Sequence, residues 1–176
     1  MSSSNYSFTL GLPGILVPQH SNFAGSITAL GVTAANQGRL FRFVLSEPLA
    51  LALVAFEVTT LDATDPDIDV AIYDATLTTR IASTGPTAGK ATSTGVKSMA
   101  LTANLAAGVA YWAGLSCETT TAQFRGIASN SVALLLGNTV TTSVAASSSG
   151  VGTWPASSPT VTFGSGLMPL LALRSS

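Results

Sequence analysis

The sequence contains one cysteine and one histidine, and both scarcities exclude common kinds of chemistry. Cys117 alone cannot form an internal disulfide framework or a multi-cysteine metal cluster. His20 alone excludes histidine-rich metal sites and leaves few groups for acid–base catalysis. No G-x-S-x-G motif surrounds Ser116, so a nucleophile elbow is also missing. The chain is therefore not expected to be an enzyme.

Charge is equally scarce, because Asp, Glu, Lys and Arg together make up only 9% of the 176 residues. Ordinary soluble domains contain about 25%. The basic side chains are scattered and form no phosphate-binding surface, so no nucleic-acid partner is expected. The apolar run 49–56 ends at Glu57 and is far too short to span a membrane, so no membrane is expected. The N-terminus has no basic region, so no secretory signal is predicted.

Apolar residues are abundant instead, at 47%, together with 22 Ser and 23 Thr. The length fits one domain with a sizeable core. A neutral surface rich in hydroxyl groups has little electrostatic self-repulsion, and a net charge near zero favours association. We therefore expect a domain that packs against other copies or other proteins.

Alternating hydrophobicity predicts β-strands along most of the chain. Ile68, Val70 and Ile72 are expected to face a core, and Asp69 and Tyr73 the opposite side. About nine or ten such strands are predicted, with no amphipathic helix. They cover residues 26–33, 40–47, 49–60, 68–74, 80–83, 96–103, 109–118, 122–129, 131–137 and 167–174. This pattern is typical of an all-β fold, an antiparallel β-sandwich of jelly-roll type.

Two stretches depart from the strand pattern. Residues 1–22 combine prolines and glycines with apolar side chains, which predicts an extended N-terminal arm before a sandwich of residues 23–176. The arm is expected to dock through its apolar residues Phe8, Leu10, Ile15, Leu16 and Val17. Residues 138–166 are polar and are predicted to form a long, functional loop. In the predicted strand 49–60, Leu49, Leu51 and Leu53 are expected on one face.

Three segments carry a resemblance to a known family. They read DPDIDVAIYDA at residues 65–75, KSMALT at 97–102 and NLAAGVAYWAGL at 104–115, and residues 154–163 and 169–174 continue the similarity. The order resembles the jelly-roll modules of bacteriophage virion proteins. It is also similar to the prepeptidase C-terminal and galactose-binding-like β-sandwiches. The resemblance spans about residues 22–174.

The resemblance implies a non-catalytic structural protein of the virion, most simply a capsid decoration or cement protein that acts by subunit packing. It implies a homotrimer, the major capsid protein as a further partner, and assembly in the host cytoplasm. The alternative it leaves open is a tail-fibre or receptor-binding module that recognises host surface glycan. Fold analogy alone does not decide between them.

Four carboxylates, Asp62, Asp65, Asp67 and Asp69, fall within eight residues. They could supply oxygen ligands for Ca²⁺, which would be the only cofactor. The spacing lacks the glycine and terminal glutamate of an EF-hand loop. The alternative is a solvated turn whose carboxylates accept hydrogen bonds from backbone amides, with no cofactor.

The aromatic residues Trp154, Tyr73 and Tyr111 are candidates for a glycan platform or a subunit interface. Trp154 lies in the predicted loop and is expected to be exposed, or else to anchor its own domain or a neighbouring subunit. Tyr111 and Trp112 are adjacent, so they should face opposite sides of a strand. A glycan lyase or hydrolase using carboxylates such as Glu57, Asp67 or Glu118 is the third possibility.

Overall fold

The computed structural model describes residues 14–17, 27–31, 35–128, 145–148, 152–163 and 167–175. All regular secondary structure in these ranges is β, in thirteen strands. They are β1 (Gly14–Val17), β2 (Ile27–Gly31), β3 (Gln37–Val44), β4 (Leu49–Thr60), β5 (Ile68–Tyr73), β6 (Arg80–Ser83), β7 (Gly95–Leu105), β8 (Ala110–Cys117), β9 (Gln123–Ala128), β10 (Ala145–Ser148), β11 (Val161–Phe163), β12 (Leu167–Pro169) and β13 (Leu171–Arg174). Within these ranges no helix could cross a membrane.

The strands form two antiparallel sheets. The seven-stranded sheet has the order β1-β13-β4-β9-β12, with β7 on the other side of β4 and β2 on β9. The six-stranded sheet has the order β11-β10-β3-β8-β5-β6. The expected all-β class and antiparallel pairing are confirmed, whereas the jelly-roll connectivity stays a prediction.

One hydrophobic core takes side chains from both sheets. Phe41, Ile72 and Leu115 come from the six-stranded sheet, and Phe56 and Phe124 from the seven-stranded sheet. The rings of Phe56 and Phe124 meet edge to face with centroids 5.9 Å apart. Burial of these faces is the main force that holds the two sheets together.

Strand β5 matches its predicted faces, but β4 does so only in part. Leu49 and Leu51 are buried as expected, while Leu53 is half-buried. The pairing of β4 with β7 shifts register between Leu51 and Leu53. Beyond this shift the core-facing residues are Val54, Phe56 and Val58, because a bulge moves the side-chain alternation onto the other residues.

The predicted boundaries changed most near the C-terminus. The range 138–166 contains β10 and β11, so it is not wholly a loop. The predicted strand 167–174 is two strands: β12 pairs with β9 and β13 with β4, and the Leu170 amide between them donates to the Arg125 carbonyl at 2.9 Å. The predicted strand 131–137 lies outside the described residues.

The predicted arm is described only at β1, which pairs antiparallel with β13. Ile15, Leu16 and Val17 belong to this strand, opposite Leu173, Ala172 and Leu171. Phe8 and Leu10 lie outside the described residues. Docking of the arm therefore stays a prediction for these five residues.

Candidate functional site

The outer face of the six-stranded sheet is covered by residues 152–160, which we name the Trp154 segment. Trp154 is fully buried although no strand contains it. Its ring lies over Gly38 of β3 and Gly114 of β8, where a Cβ atom would approach the ring within 2.7 Å at Gly114 and closer at Gly38. Glycine is required at both positions because the indole occupies the space of a side chain.

Asp69 of β5 holds the Trp154 segment against the sheet through hydrogen bonds. Its carboxylate is fully buried and accepts hydrogen bonds from the Trp154 backbone amide at 2.9 Å and from the Ser83 and Thr84 hydroxyls at 2.8 and 3.1 Å. The Trp154 indole N–H donates to the Asp69 backbone carbonyl at 3.1 Å. A buried carboxylate is tolerated here because donors surround it.

Tyr73 and Arg80 hold the next residues of the segment. The Tyr73 hydroxyl donates to the Pro155 carbonyl at 2.5 Å, and its ring meets the Trp154 ring edge to face at 6.0 Å. The Arg80 guanidinium donates to the Trp154 carbonyl, and the Arg80 amide to the Ala156 carbonyl at 3.0 Å. Burial raises the pKa of Tyr73 strongly, so the phenol stays protonated and remains a donor.

Of the two positions considered for Trp154, the structure shows the anchor within its own domain and not an exposed ring. The structure brings Tyr73 to Trp154 but places Tyr111 on the opposite face of the sheet. There Tyr111 contacts Phe43 at a centroid distance of 5.8 Å and accepts the Ala106 amide at 2.9 Å. The three rings do not form one platform.

A smaller apolar surface continues beside the Trp154 segment. Trp112 is almost fully buried on this outer face, and its indole N–H donates to the Ala75 carbonyl at 3.1 Å. Phe163 of β11 contacts the Trp112 ring at 5.8 Å and is 44% exposed. Tyr111 and Trp112 face opposite sides as predicted, and both are buried.

Asp62, the first of the four aspartates, stabilises a turn. Its carboxylate accepts from the Thr119 hydroxyl at 2.5 Å and from the amide and hydroxyl of Thr64 at 2.8 and 2.7 Å. These donors, the Thr119 hydroxyl foremost, lower the pKa of Asp62. This is the arrangement of the turn alternative, because the charge is balanced by neutral donors.

The other three aspartates each have a different hydrogen-bond partner. Asp65 accepts from the Gly89 amide, Asp67 pairs through its backbone with Glu118, and Asp69 faces the Trp154 segment. Among the described residues, which include all four, no group of three acidic, histidine or cysteine side chains could hold a metal ion. The four carboxylates do not converge on one Ca²⁺ position.

Three further candidate reactive groups, Glu57, Glu118 and Cys117, are also engaged or enclosed. Arg125 forms a bidentate ion pair with Glu57, with Arg125 Nη2 2.7 Å from Glu57 Oε1, and the contact lowers the pKa of Glu57. Glu118 Oε2 accepts from the Asp67 amide at 3.1 Å. Cys117 is buried, and burial raises the pKa of its thiol, so it is a poor nucleophile. His20 lies outside the described residues.

Sequence reasoning missed the two glycines that receive the indole and the role of Asp69. A signal was present, because glycine within a strand often marks a close approach of another group. Gly38 and Gly114 occupy neighbouring strands and pair with Ser116 and Leu40, which places both near one point of the sheet. The partner of these glycines could not be read from the pattern.

No protein-family model matches this chain, and no curated protein matches it.

Proposed function

We propose that the chain is a non-catalytic structural subunit of a bacteriophage particle, of the capsid decoration type. Its body would be a jelly-roll sandwich, its mode of action subunit packing, and its partners further copies and the major capsid protein. The resemblance at residues 65–75 and 104–115 suggests this class. The low charge and neutral surface support it, because both favour close association.

The proposal rests on one observation: the polar side chains around Trp154 form hydrogen bonds to the Trp154 segment of the same chain. Asp69, Tyr73 and Arg80 all hydrogen-bond to the Trp154 segment. In a glycosidase, two carboxylates must face a substrate cleft. Glu57 is held by Arg125 and Glu118 by the Asp67 amide. These interactions strengthen a surface rather than prepare a reaction.

The glycan-binding alternative loses its principal residue, because the Trp154 ring is enclosed. Stacking on a sugar requires an accessible aromatic face. Of the aromatic side chains on this outer face, Phe163 is the partly exposed one that remains. The decoration proposal does not depend on any exposed ring.

Co-sedimentation with empty capsid shells tests the proposal. The full chain should bind shells saturably, and a chain lacking residues 1–13 should bind less while keeping its β-sheet circular dichroism. This deletion leaves β1 (Gly14–Val17) in place, so the sheet is conserved. Binding to envelope glycan but not to shells would contradict the decoration function. Equal shell binding by both chains would contradict a docking role for Phe8 and Leu10.

A further inference from the structure

The outer strand β7 is a long sheet edge. It has 11 residues, Gly95–Leu105, and among the described strands it pairs only with β4. Among the described residues, no strand or turn pairs with the row of backbone N–H and C=O groups on the second side of β7. Such a row is a template for one more strand.

Apart from the register shift against β4, the strand carries little of what usually protects an edge from pairing. It contains no proline, and its single charge is Lys97. The Lys97 ammonium donates to the Ser93 hydroxyl at 2.6 Å and the Thr94 carbonyl at 3.3 Å, so it folds back on its own loop. Val96 is 74% exposed, the largest exposure among the large hydrophobic side chains of the described residues.

Side chains alternate along the whole strand, although its pairing with β4 shifts register where Leu101 and Thr102 lie opposite the single residue Ala52. Met99, Leu101 and Leu105 are buried, and Ser98, Ala100, Thr102 and Asn104 between them are exposed. The register shift against β4 does not disturb this alternation, because the change of face occurs in β4 after Leu51. A neutral edge of this length, with alternating side chains, can accept a partner strand.

We propose that β7 pairs antiparallel with β7 of a second copy of this chain, so that the two seven-stranded sheets become one continuous sheet. A two-fold axis perpendicular to the sheet keeps both cores on the same side. The axis must then lie midway between the two copies of one residue, because only residues whose side chains point to the same face can stand opposite each other. With the axis between the two Ala100 residues, the middle of β7, each of the 11 positions of one strand stands opposite a position of the other.

This register is compatible with every side chain that it brings together. Ser98 stands opposite Thr102 of the second copy, and Val96 opposite Asn104. Lys97 stands opposite Ala103, so the two ammonium groups do not meet. The second copy is favoured over an unrelated partner because the strand is complementary to itself, with no like charges opposed.

The inference rests on the proposed function in treating the chain as an assembly subunit, and it specifies the first contact. Two-fold pairing produces assemblies with an even number of copies: a dimer, or two trimers whose β7 strands pair with each other. A lone trimer would leave β7 unpaired and contradict the inference.

Light scattering of the purified full chain over a concentration series tests the pairing. The wild-type mass should be an even multiple of 17.7 kDa. The variant Ser98→Lys with Thr102→Lys places lysine opposite lysine twice and should halve the mass. The variant Ser98→Lys with Thr102→Glu places lysine opposite glutamate and should keep the wild-type mass. Thr79→Lys with Thr120→Lys adds the same charge at exposed positions outside β7 and should also keep it.

Each result bears directly on the inference. A monomeric wild type, or an unchanged mass in the double-lysine variant, overturns it. Loss of mass in both β7 variants overturns the register through Ala100, and circular dichroism separates this from unfolding. Because no shell is present, failure here leaves shell binding, and with it the proposed function, to be judged separately.

Discussion

Replacement of Trp154 by alanine should destabilise the protein more than most single substitutions. The indole is fully buried, packs on Gly38 and Gly114, and donates to the Asp69 carbonyl. Truncation of a buried large aromatic residue costs about 3–5 kcal/mol, since the lost contacts leave a cavity. Domains of this size have only about 5–15 kcal/mol in total. The melting temperature should therefore fall by roughly 10 °C.

A second substitution isolates the contact itself. The three heavy atoms nearest to a Cβ placed at Gly38 all belong to the Trp154 ring, with Cζ2 at 2.5 Å. Gly38→Ala alone should therefore cost about 1–3 kcal/mol by overpacking. In the Trp154→Ala background the new methyl group has room, so the same change should cost less than about 0.5 kcal/mol. The interaction energy is the difference between these two costs.

Urea unfolding of the wild type, both single variants and the double variant, followed by circular dichroism, gives the four free energies. Equal m values show that all four unfold from a comparable state. A loss below about 1 kcal/mol for Trp154→Ala would refute burial of the ring. Additive costs would refute contact between the ring and Gly38.

Two predictions concern pH. The Thr119 and Thr64 donors lower the pKa of Asp62. The stabilisation by this carboxylate is therefore present above the unfolded pKa of about 3.9 and is lost as pH falls. In Asp62→Asn, the melting temperature should depend less on pH between about 4 and 2. Burial raises the pKa of Tyr73. The stabilisation by the protonated phenol is therefore complete below about pH 10 and is lost as pH rises. Tyr73→Phe should lower the free energy of unfolding by about 1 kcal/mol at neutral pH, but it should lose less stability than the wild type above about pH 10. Parallel curves for variant and wild type would contradict either assignment.

Local alternation was sufficient to predict the strands whose faces differ in polarity. In β5, Ile68, Val70 and Ile72 face the core as expected, and Asp69 and Tyr73 face the other side. The pattern does not indicate that this second side is also buried, because the covering residues follow much later in the chain. Periodicity reports which residues share a face, not what covers that face.

The remaining differences have specific causes. The register shift between β4 and β7 moves burial from Leu53 to Val54, and a run of leucine, alanine and valine gives no sign of where such a shift occurs. Strand β10 is AASS, which lacks the apolar alternation of a recognisable strand and is defined by its pairing with β3. The place where Trp154 is buried could not be predicted, because its neighbours Gly38 and Gly114 are distant in sequence.

The position of the Trp154 segment has a consequence for biosynthesis. Asp69 receives its backbone donor from a residue 85 positions further along the chain, and β4 pairs with β13 only once residues 172–174 have been made. A nascent chain that already contains Leu40, Tyr73 and Trp112 must keep them in water until Trp154 has left the ribosome. Such long-range closure slows folding and leaves apolar surface open to aggregation. Premature termination after residue 150 should therefore yield a chain that depends on chaperones to remain in solution.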